Sequence, residues 1–149
     1  MVQFLRRLLT IFRGSVQSPP KRDNVAVSEQ IARYILSKRY FSVSNRAVKY
    51  GAYLPAPNGE ASVYRISNIP EKEIWDIGRE YVAEPSKRTL YARGDTTAAL
   101  ITKTGLEIVP ETTSHPLHAN IVNWPTEKHE QKMVAVEIAN EATLVVQPD

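Results

Sequence analysis

Residues 118–146 read HANIVNWPTEKHEQKMVAVEIANEATLVV, and this stretch decides the fold. HANIV at its start alternates in a way that is typical of a β-strand with two different faces. The run TEKHEQKMVAVEIANEA at 126–142 has the composition of a long helix, and TLVV at 143–146 is rich in β-branched residues. A strand, a helix and a strand in direct succession predict a domain in which the two kinds of element are interleaved.

The strongest helix prediction upstream is SNIPEKEIWDIGREYVAEP, residues 67–85. Ser67 or Asn68 is placed to cap the helix and Pro70 to occupy its first turn. Apolar residues recur on one side at Ile74, Ile77 and Tyr81. We expect this helix to end before Pro85.

The remaining elements are predicted from shorter patterns. VSEQIARYILSKRYF at 27–41 is interpreted as a helix capped by Ser28. AVKYGAYL at 47–54 and ASVYRI at 61–66 flank the Asn58-Gly59 pair, which predicts a β-hairpin. Three further elements are expected: a strand at TLYAR (89–93), a helix at DTTAALITKTG (95–105) capped by Asp95 and closed by Gly105, and a strand at LEIV (106–109).

These patterns predict an α+β fold with a compact mixed or antiparallel sheet and about three packed helices, preceded by an N-terminal amphipathic helix. The predicted organisation is a basic amphipathic helix at 1–14, a linker rich in proline and serine at 15–24, and a single α+β domain at 25–149.

The chain has 149 residues and no cysteine, which excludes disulfide frameworks, thiolate zinc sites and cysteine nucleophiles. Its net charge is +3, with 19 Lys and Arg against 16 Asp and Glu. Five of the basic residues and none of the acidic ones precede Asp23, so the rest of the chain is mildly acidic. Because nonspecific nucleic-acid binding grows with the number of phosphates neutralised, we do not expect nucleic acid as a partner.

The leader MVQFLRRLLTIFRG places Leu5, Leu8, Leu9 and Phe12 on one side of a helix and arginines on the other. It is too short and too charged for a transmembrane span, and no cleavage site of a secretory signal follows. Three interpretations remain: an organellar presequence, a helix on a membrane surface, and a helix docked on a partner protein or on its own domain. We expect docking on a partner and a cytoplasmic protein, with membrane association through residues 1–14 as the alternative.

The string SHPLHANIVNWP, residues 114–125, raises the question of a reactive site. On a strand, His118, Asn120 and Val122 share one face, so a polar pair occupies positions where a core strand has apolar groups. His118 suits a general base, a metal ligand or a ligand-binding group. The alternative is a histidine that only satisfies backbone groups. We expect no metal and no cofactor, although His129, Glu127 and Glu130 on the next helix are the available further ligands.

Two other side chains are candidates for binding. Arg65 in ASVYRI is able to hold a phosphate or carboxylate, or simply to reach solvent from an edge strand. Trp124 is interpreted as a core or interface residue. Glu137 and Glu141 form either a carboxylate pair or the wet side of a helix.

Four strings of the body, ASVYRISNIPEKEIWDIG, YARGD, TGLEIVPE and HPLHANIVNWP, resemble small bacterial proteins of no established activity. The resemblance covers most of the body and omits the leader. It implies a bacterial or phage setting and no particular mechanism.

Two functions are compatible with the sequence. The first is an interaction or accessory module that docks through Leu5, Leu8 and Phe12 of the leader, with Arg65 and Trp124 as further binding residues. The second is a small enzyme, namely a hydrolase, a nuclease or an ADP-ribosyl-transferring effector, with His118 and Asn120 as catalytic residues. Arg65 and Glu137 are its further contributors, because the transferase form requires an arginine on a strand and a later glutamate.

Overall fold

The computed structural model describes residues 24–148, which form an α+β fold. The predicted leader helix at 1–14, and nearly all of the predicted linker, lie outside the described residues. The strands are β1 Gln30–Ile35, β2 Phe41–Ser42, β3 Ala47–Val48, β4 Ala61–Arg65, β5 Ala92–Thr97, β6 Glu107–Pro110, β7 His118–Val122 and β8 Thr143–Val146. The α-helices are α1 Glu71–Ile77, α2 Glu84–Ser86, α3 Ala98–Lys103 and α4 Lys128–Glu141.

Six strands form one antiparallel sheet in the order β6-β7-β4-β1-β5-β8, and β2 and β3 pair separately. Strand β1 lies in the middle between β4 and β5. The sequence predicted a mixed or an antiparallel sheet, and the observed sheet is antiparallel.

Helices cover both faces of this sheet and give the domain three layers. One face, which we call the α4 face, packs residues such as Ile31, Val63 and Ile121 in a cluster with Ile101 of α3 and Ile138 of α4. The opposite face is called the α1 face, and its cluster is formed by Ala32, Tyr34, Tyr64, Ile74, Trp75 and Ile77.

The segment predicted as a helix at 27–41 is instead strand β1, followed by a short 3-10 turn at Lys38–Tyr40. That prediction was wrong because the spacing of Ile31 and Ile35 fits one helical turn and also one face of a strand. Ala32 and Tyr34 are buried on the other face of the sheet. A central strand that is buried on both faces lacks the simple alternation that identifies a strand.

The predicted hairpin is also wrong. Residues Tyr50–Ala52 form a 3-10 turn, and Ala47–Val48 pairs with β2. Strand β4 is real, but its neighbours are β1 and β7. Gly59 has a positive φ of 82°, as a tight turn requires, although the turn joins a loop to β4 and not two paired strands.

The helix predicted at 67–85 is confirmed, with two differences. Neither Ser67 nor Asn68 caps it, because Pro70 is the N-cap residue and the Ser67 hydroxyl accepts a hydrogen bond from Gln30 N. The helix also continues through a π-helical segment at Gly78–Ala83 into α2, which contains Pro85. The Glu84 amide donates to Arg79 O across this wider turn.

The RGD segment, residues 93–95, lies in strand β5, so the strand predicted at 89–93 is displaced toward the C-terminus. Helix α3 therefore begins later than predicted, and the Thr97 side chain caps it in place of Asp95. The strands at β6, β7 and β8 and the helix α4 are confirmed close to their predicted positions. Among residues 24–148, no helix has the length and apolar character needed to cross a membrane.

Candidate functional site

His118 begins strand β7 and lies on the α1 face together with Asn120. The intervening Ala119 and Ile121 are fully buried in the cluster on the α4 face. The predicted alternation of this strand is therefore present. The His118 residue is 8% exposed, so its imidazole sits among other groups of the protein.

Ser62 of β4 is the polar partner of this imidazole at Nε2. The register places Ser62 opposite Asn120 and Tyr64 opposite His118. Ser62 and His118 are thus diagonal neighbours on one face, a separation that a long side chain spans. The Ser62 Oγ lies 2.7 Å from His118 Nε2, which is a short hydrogen bond.

Glu111 orients the other side of the ring. Its amide donates to His118 O at 3.0 Å, which extends the pairing of β6 and β7 by one residue. His118 Nδ1 lies 2.7 Å from Glu111 O and 3.2 Å from Glu111 Oε1. Both oxygens only accept, so Nδ1 carries the proton and Nε2 of the neutral ring accepts from the Ser62 hydroxyl.

The Glu111 carboxylate is itself held in place. Thr113 Oγ1 donates to Glu111 Oε2, and this hydrogen bond is the main cause that lowers the pKa of Glu111, with a smaller contribution from His118. An ionised carboxylate beside Nδ1 stabilises the imidazolium that forms when Nε2 takes a proton.

Aromatic rings fix the imidazole from the side. The Tyr64 ring meets the His118 ring edge to face, with centroids 5.2 Å apart. Tyr64 also contacts Tyr34 and His115, and His115 contacts Tyr81. Burial lowers the pKa of His115, and the nearby Glu73 carboxylate opposes this effect. His115 is therefore a packing residue in this structure, while His118 holds the hydroxyl.

Asn120 provides a hydrogen-bond donor close to Ser62. Its Nδ2 donates to Glu60 Oε1 at 3.3 Å, a long contact at the weak end of the usual range. Directly opposed residues of an antiparallel pair have Cβ atoms about 4.5 to 5.5 Å apart. The Asn120 amide is thus within reach of a group bound at Ser62.

The structure separates Arg65 from this site. Arg65 Nε and Nη2 donate to the two Glu29 carboxylate oxygens at 2.8 and 2.9 Å, and Nη2 also donates to Asn24 O. Arg65 and Ser62 alternate on β4, so they belong to opposite faces. Glu137 is exposed on α4, which packs on the α4 face. The arginine and glutamate of the transferase hypothesis are therefore not assembled around His118.

No group of three or more His, Asp or Glu in the described part of the chain is close enough together to hold a metal ion. His129, Glu127 and Glu130 accordingly do not join His118. Trp124 packs against the cluster of the α4 face and donates from Nε1 to Ile121 O at 3.0 Å. Leu5, Leu8 and Phe12 lie outside the described residues.

A separate ionic cluster lies on the same face at β5. Arg93 is 3% exposed, and it donates from Nη1 and Nη2 to Glu71 and from Nε to Asp95. The Trp75 ring lies under the guanidinium and donates from Nε1 to Glu71. Burial raises the pKa of Asp95, and the hydrogen bond from Arg93 opposes that rise. All charges of this cluster have partners, so it is an ion network that joins α1 to β5.

Sequence reasoning proposed His118 and Asn120 as site residues, and it did not select Ser62 and Glu111, which contact His118. Ser62 lies in an apolar strand whose pairing with β7 depends on the tertiary fold. Glu111 lies in the loop ETTSHPL, where a single glutamate has no distinguishing spacing. The usable signal in the sequence is that Ser62 and Asn120 are polar residues inside strands, each between two buried apolar neighbours.

Together, Ser62, His118, Glu111 and Asn120 form a hydroxyl, a base, an orienting acid and an amide donor on one sheet face, which is an arrangement suited to acyl transfer. Comparison with known proteins adds no assignment, since no protein-family model, no curated protein and no solved structure matches the chain.

Proposed function

We propose that the chain is a small serine hydrolase that cleaves acyl bonds, with Ser62 as the nucleophile and His118 as the general base. This is the hydrolase form of the enzyme hypothesis. The observation that carries it is the 2.7 Å contact between Ser62 Oγ and a His118 Nε2 that is set up to accept, because Nδ1 faces Glu111. A nucleophile, a base and a group that orients the base are the three parts of this chemistry.

The proposed reaction proceeds through a covalent acyl-enzyme. Ser62 Oγ attacks the acyl carbon while its proton moves to His118 Nε2, and the carbonyl oxygen becomes an oxyanion that accepts from Asn120 Nδ2. When the tetrahedral intermediate collapses, the bond to the leaving group breaks and Nε2 gives its proton to that group. Water then attacks the acyl carbon, gives a proton to Nε2, and Ser62 leaves with that proton.

The surroundings of the site support a substrate that approaches from the sheet surface. Ser62 and Asn120 are half-buried and Glu111 is 43% exposed at its side chain. A short ester is the simplest substrate class for an open site of this kind.

The test is hydrolysis of a short activated ester such as p-nitrophenyl acetate by the purified chain. Ser62→Ala and His118→Ala should each reduce kcat/KM by about 100-fold or more, because they remove the nucleophile and the base. Glu111→Gln keeps the backbone acceptor of Nδ1 and should cost less. Ser42→Ala is the matched control, since Ser42 is a strand serine that bonds to Ser44 and not to a histidine.

The proposal fails if Ser62→Ala hydrolyses the ester as fast as the unmodified chain. Thermal unfolding distinguishes a catalytic His118 from a structural one. If His118 only satisfies the backbone, its replacement should cost about 1 to 3 kcal/mol of stability, and any loss of activity should follow unfolding.

An interaction role for the leader is a second proposal, and it is compatible with the first. It rests on the amphipathic pattern of Leu5, Leu8 and Phe12, which predicts a helix with one apolar side. In this view residues 1–14 bring the hydrolase to a partner protein or to a membrane surface. Replacing Leu5 and Leu8 by Asp should then abolish association and leave ester hydrolysis unchanged.

A further inference from the structure

Strands β1 and β4 separate at the centre of the sheet. Their pairing consists of Ile31 with Arg65 and Ala32 with Tyr64, and it stops there. The Arg33 side chain occupies the gap, where Nε donates to Ala52 O and Nη1 to Ser62 O, both at 2.7 Å. The guanidinium therefore replaces the ladder hydrogen bonds that the two strands do not make.

The Arg33 guanidinium has donors to spare. An arginine carries five N–H donors, and only Nε and Nη1 have acceptors among residues 24–148. Neither acceptor is a carboxylate, in contrast to Arg65 and Arg93, which are both paired with acids. Burial lowers the pKa of Arg33, as expected for a positive charge taken out of water with no negative charge beside it.

A small cavity of about 120 Å³ lies against this side chain. Its polar walls come from Arg33, Arg88, Ser37 and Tyr40, and Gly51 and Ala52 close one side. Arg88 lines the cavity as well, and its Nη2 donates to Leu36 O. None of the residues that line the cavity is acidic.

We propose that this cavity, named the Arg33 site, binds a terminal phosphoryl group between the guanidinium groups of Arg33 and Arg88. Two guanidinium groups supply several charge-assisted donors to one tetrahedral anion. The Ser37 hydroxyl is a further donor, since its oxygen accepts from Arg39 N and its proton remains available. The volume accommodates the phosphoryl group alone, so the rest of a phosphomonoester extends outside.

The proposal for the Arg33 site does not rest on the proposed hydrolase activity, although Arg33 Nη1 donates to the backbone carbonyl of Ser62. Its occupant neutralises the Arg33 charge and so stabilises the folded chain by an amount that grows with the logarithm of the ligand concentration above the Kd. Inorganic phosphate and a phosphomonoester share the recognised group, and the test separates them by using phosphate and O-phosphoserine as two probes.

The experiment measures binding of each probe to the full chain by calorimetry and by the shift in Tm, at constant ionic strength set with chloride. Saturable binding and a rise in Tm are expected for phosphate, and tighter binding of O-phosphoserine would identify a phosphomonoester as the preferred form. Arg88→Gln should weaken binding about ten-fold by removing one charged donor. Lys87→Gln is the matched control, because it removes the same charge from an exposed neighbour that does not line the cavity.

Arg33→Lys keeps the charge but loses the forked donors, and it should abolish binding if the variant folds. Should it fail to fold, the comparison of Arg88→Gln with Lys87→Gln still decides. The Arg33 site is ruled out if neither probe binds saturably to the unmodified chain, or if Arg88→Gln and Lys87→Gln bind phosphate equally well.

Discussion

At the scale of single residues, the stability of the α1 face depends on the buried side chain of Arg93. Its guanidinium is 4% exposed and joins Glu71, which is 61% exposed, to Asp95, which is 17% exposed. Arg93→Met should lower the free energy of unfolding by about 3 kcal/mol, because it leaves the Asp95 carboxylate buried without its cation. Urea denaturation measures this loss.

Two comparisons test that explanation. Glu71→Gln should cost less than about 1 kcal/mol, since Glu71 is largely exposed. The loss in Arg93→Met should also shrink as the pH falls, because burial raises the pKa of Asp95 and a protonated Asp95 no longer needs a cation. An equal loss at neutral and acidic pH would contradict a role for the Asp95 charge.

Glu29 gives a second dependence on pH, although its pKa is shifted in the opposite direction to that of Asp95. The hydrogen bond from Arg65 lowers the pKa of Glu29 below its usual 4.5. A lowered folded-state pKa means that the pair stabilises the fold above that value and loses its effect as the pH falls through the folded-state pKa. The stability difference between the unmodified chain and Glu29→Gln should therefore be largest near neutral pH and vanish in acid.

Denaturation at several pH values, from about pH 7 to about pH 3, follows this difference. Glu107→Gln, which removes an exposed carboxylate of β6, is the matched control. A difference for Glu29→Gln that stays constant over this range would show that the ion pair contributes no stability.

The sequence pattern could select some residues of the proposed site and not others. His118 and Asn120 could be identified because local alternation alone puts two polar groups on one face of an apolar strand. Ser62 could not, because its contact with His118 depends on β4 pairing with β7, and nothing in the sequence marks that pairing between residues 56 positions apart. Register between distant strands is a property of the packed sheet.

At the scale of elements, the close approach of α1 and β1 depends on Gly78. A Cβ at this position would lie 2.6 Å from the Tyr34 ring and 2.9 Å from Leu90. Tyr34 is also fixed by a hydrogen bond from its hydroxyl to Ile74 O, so the ring has little freedom to move. The π-helical segment thus begins where the helix lies closest to the sheet.

Gly78→Ala should destabilise the chain by about 1 to 3 kcal/mol through overpacking, even though alanine favours helices. Thermal or urea unfolding measures the change, with Glu80→Ala as the control on the exposed side of the same segment. A Gly78→Ala variant as stable as the unmodified chain would mean that the helix is free to move away from β1.

Elements with one buried face were predictable, and the central ones were not. Strand β7 has a single apolar side and helix α4 has the length of a typical helix, and both predictions are confirmed. Strand β1 is buried on both faces and carries Arg33 in the gap beside β4, so its pattern resembled a helix. Tertiary burial overrode the local periodicity there.

At the scale of the whole molecule, the described residues contain their own core. The clusters on the α4 and α1 faces join strands and helices of residues 24–148. Removing residues 1–22 should therefore leave the Tm nearly unchanged while it abolishes any association with a partner or membrane. A truncated chain that aggregates or unfolds at lower temperature would show that the leader is part of the core.

The central claim is that His118 activates the Ser62 hydroxyl, and covalent labelling tests it most directly. A fluorophosphonate probe reacts with activated serines, and mass spectrometry of a digest locates the adduct. One adduct is expected, on Ser62, that is absent in Ser62→Ala and strongly reduced in His118→Ala, while Ser42→Ala is labelled like the unmodified chain. Absence of labelling at Ser62 in the folded, unmodified chain would show that His118 does not activate this hydroxyl.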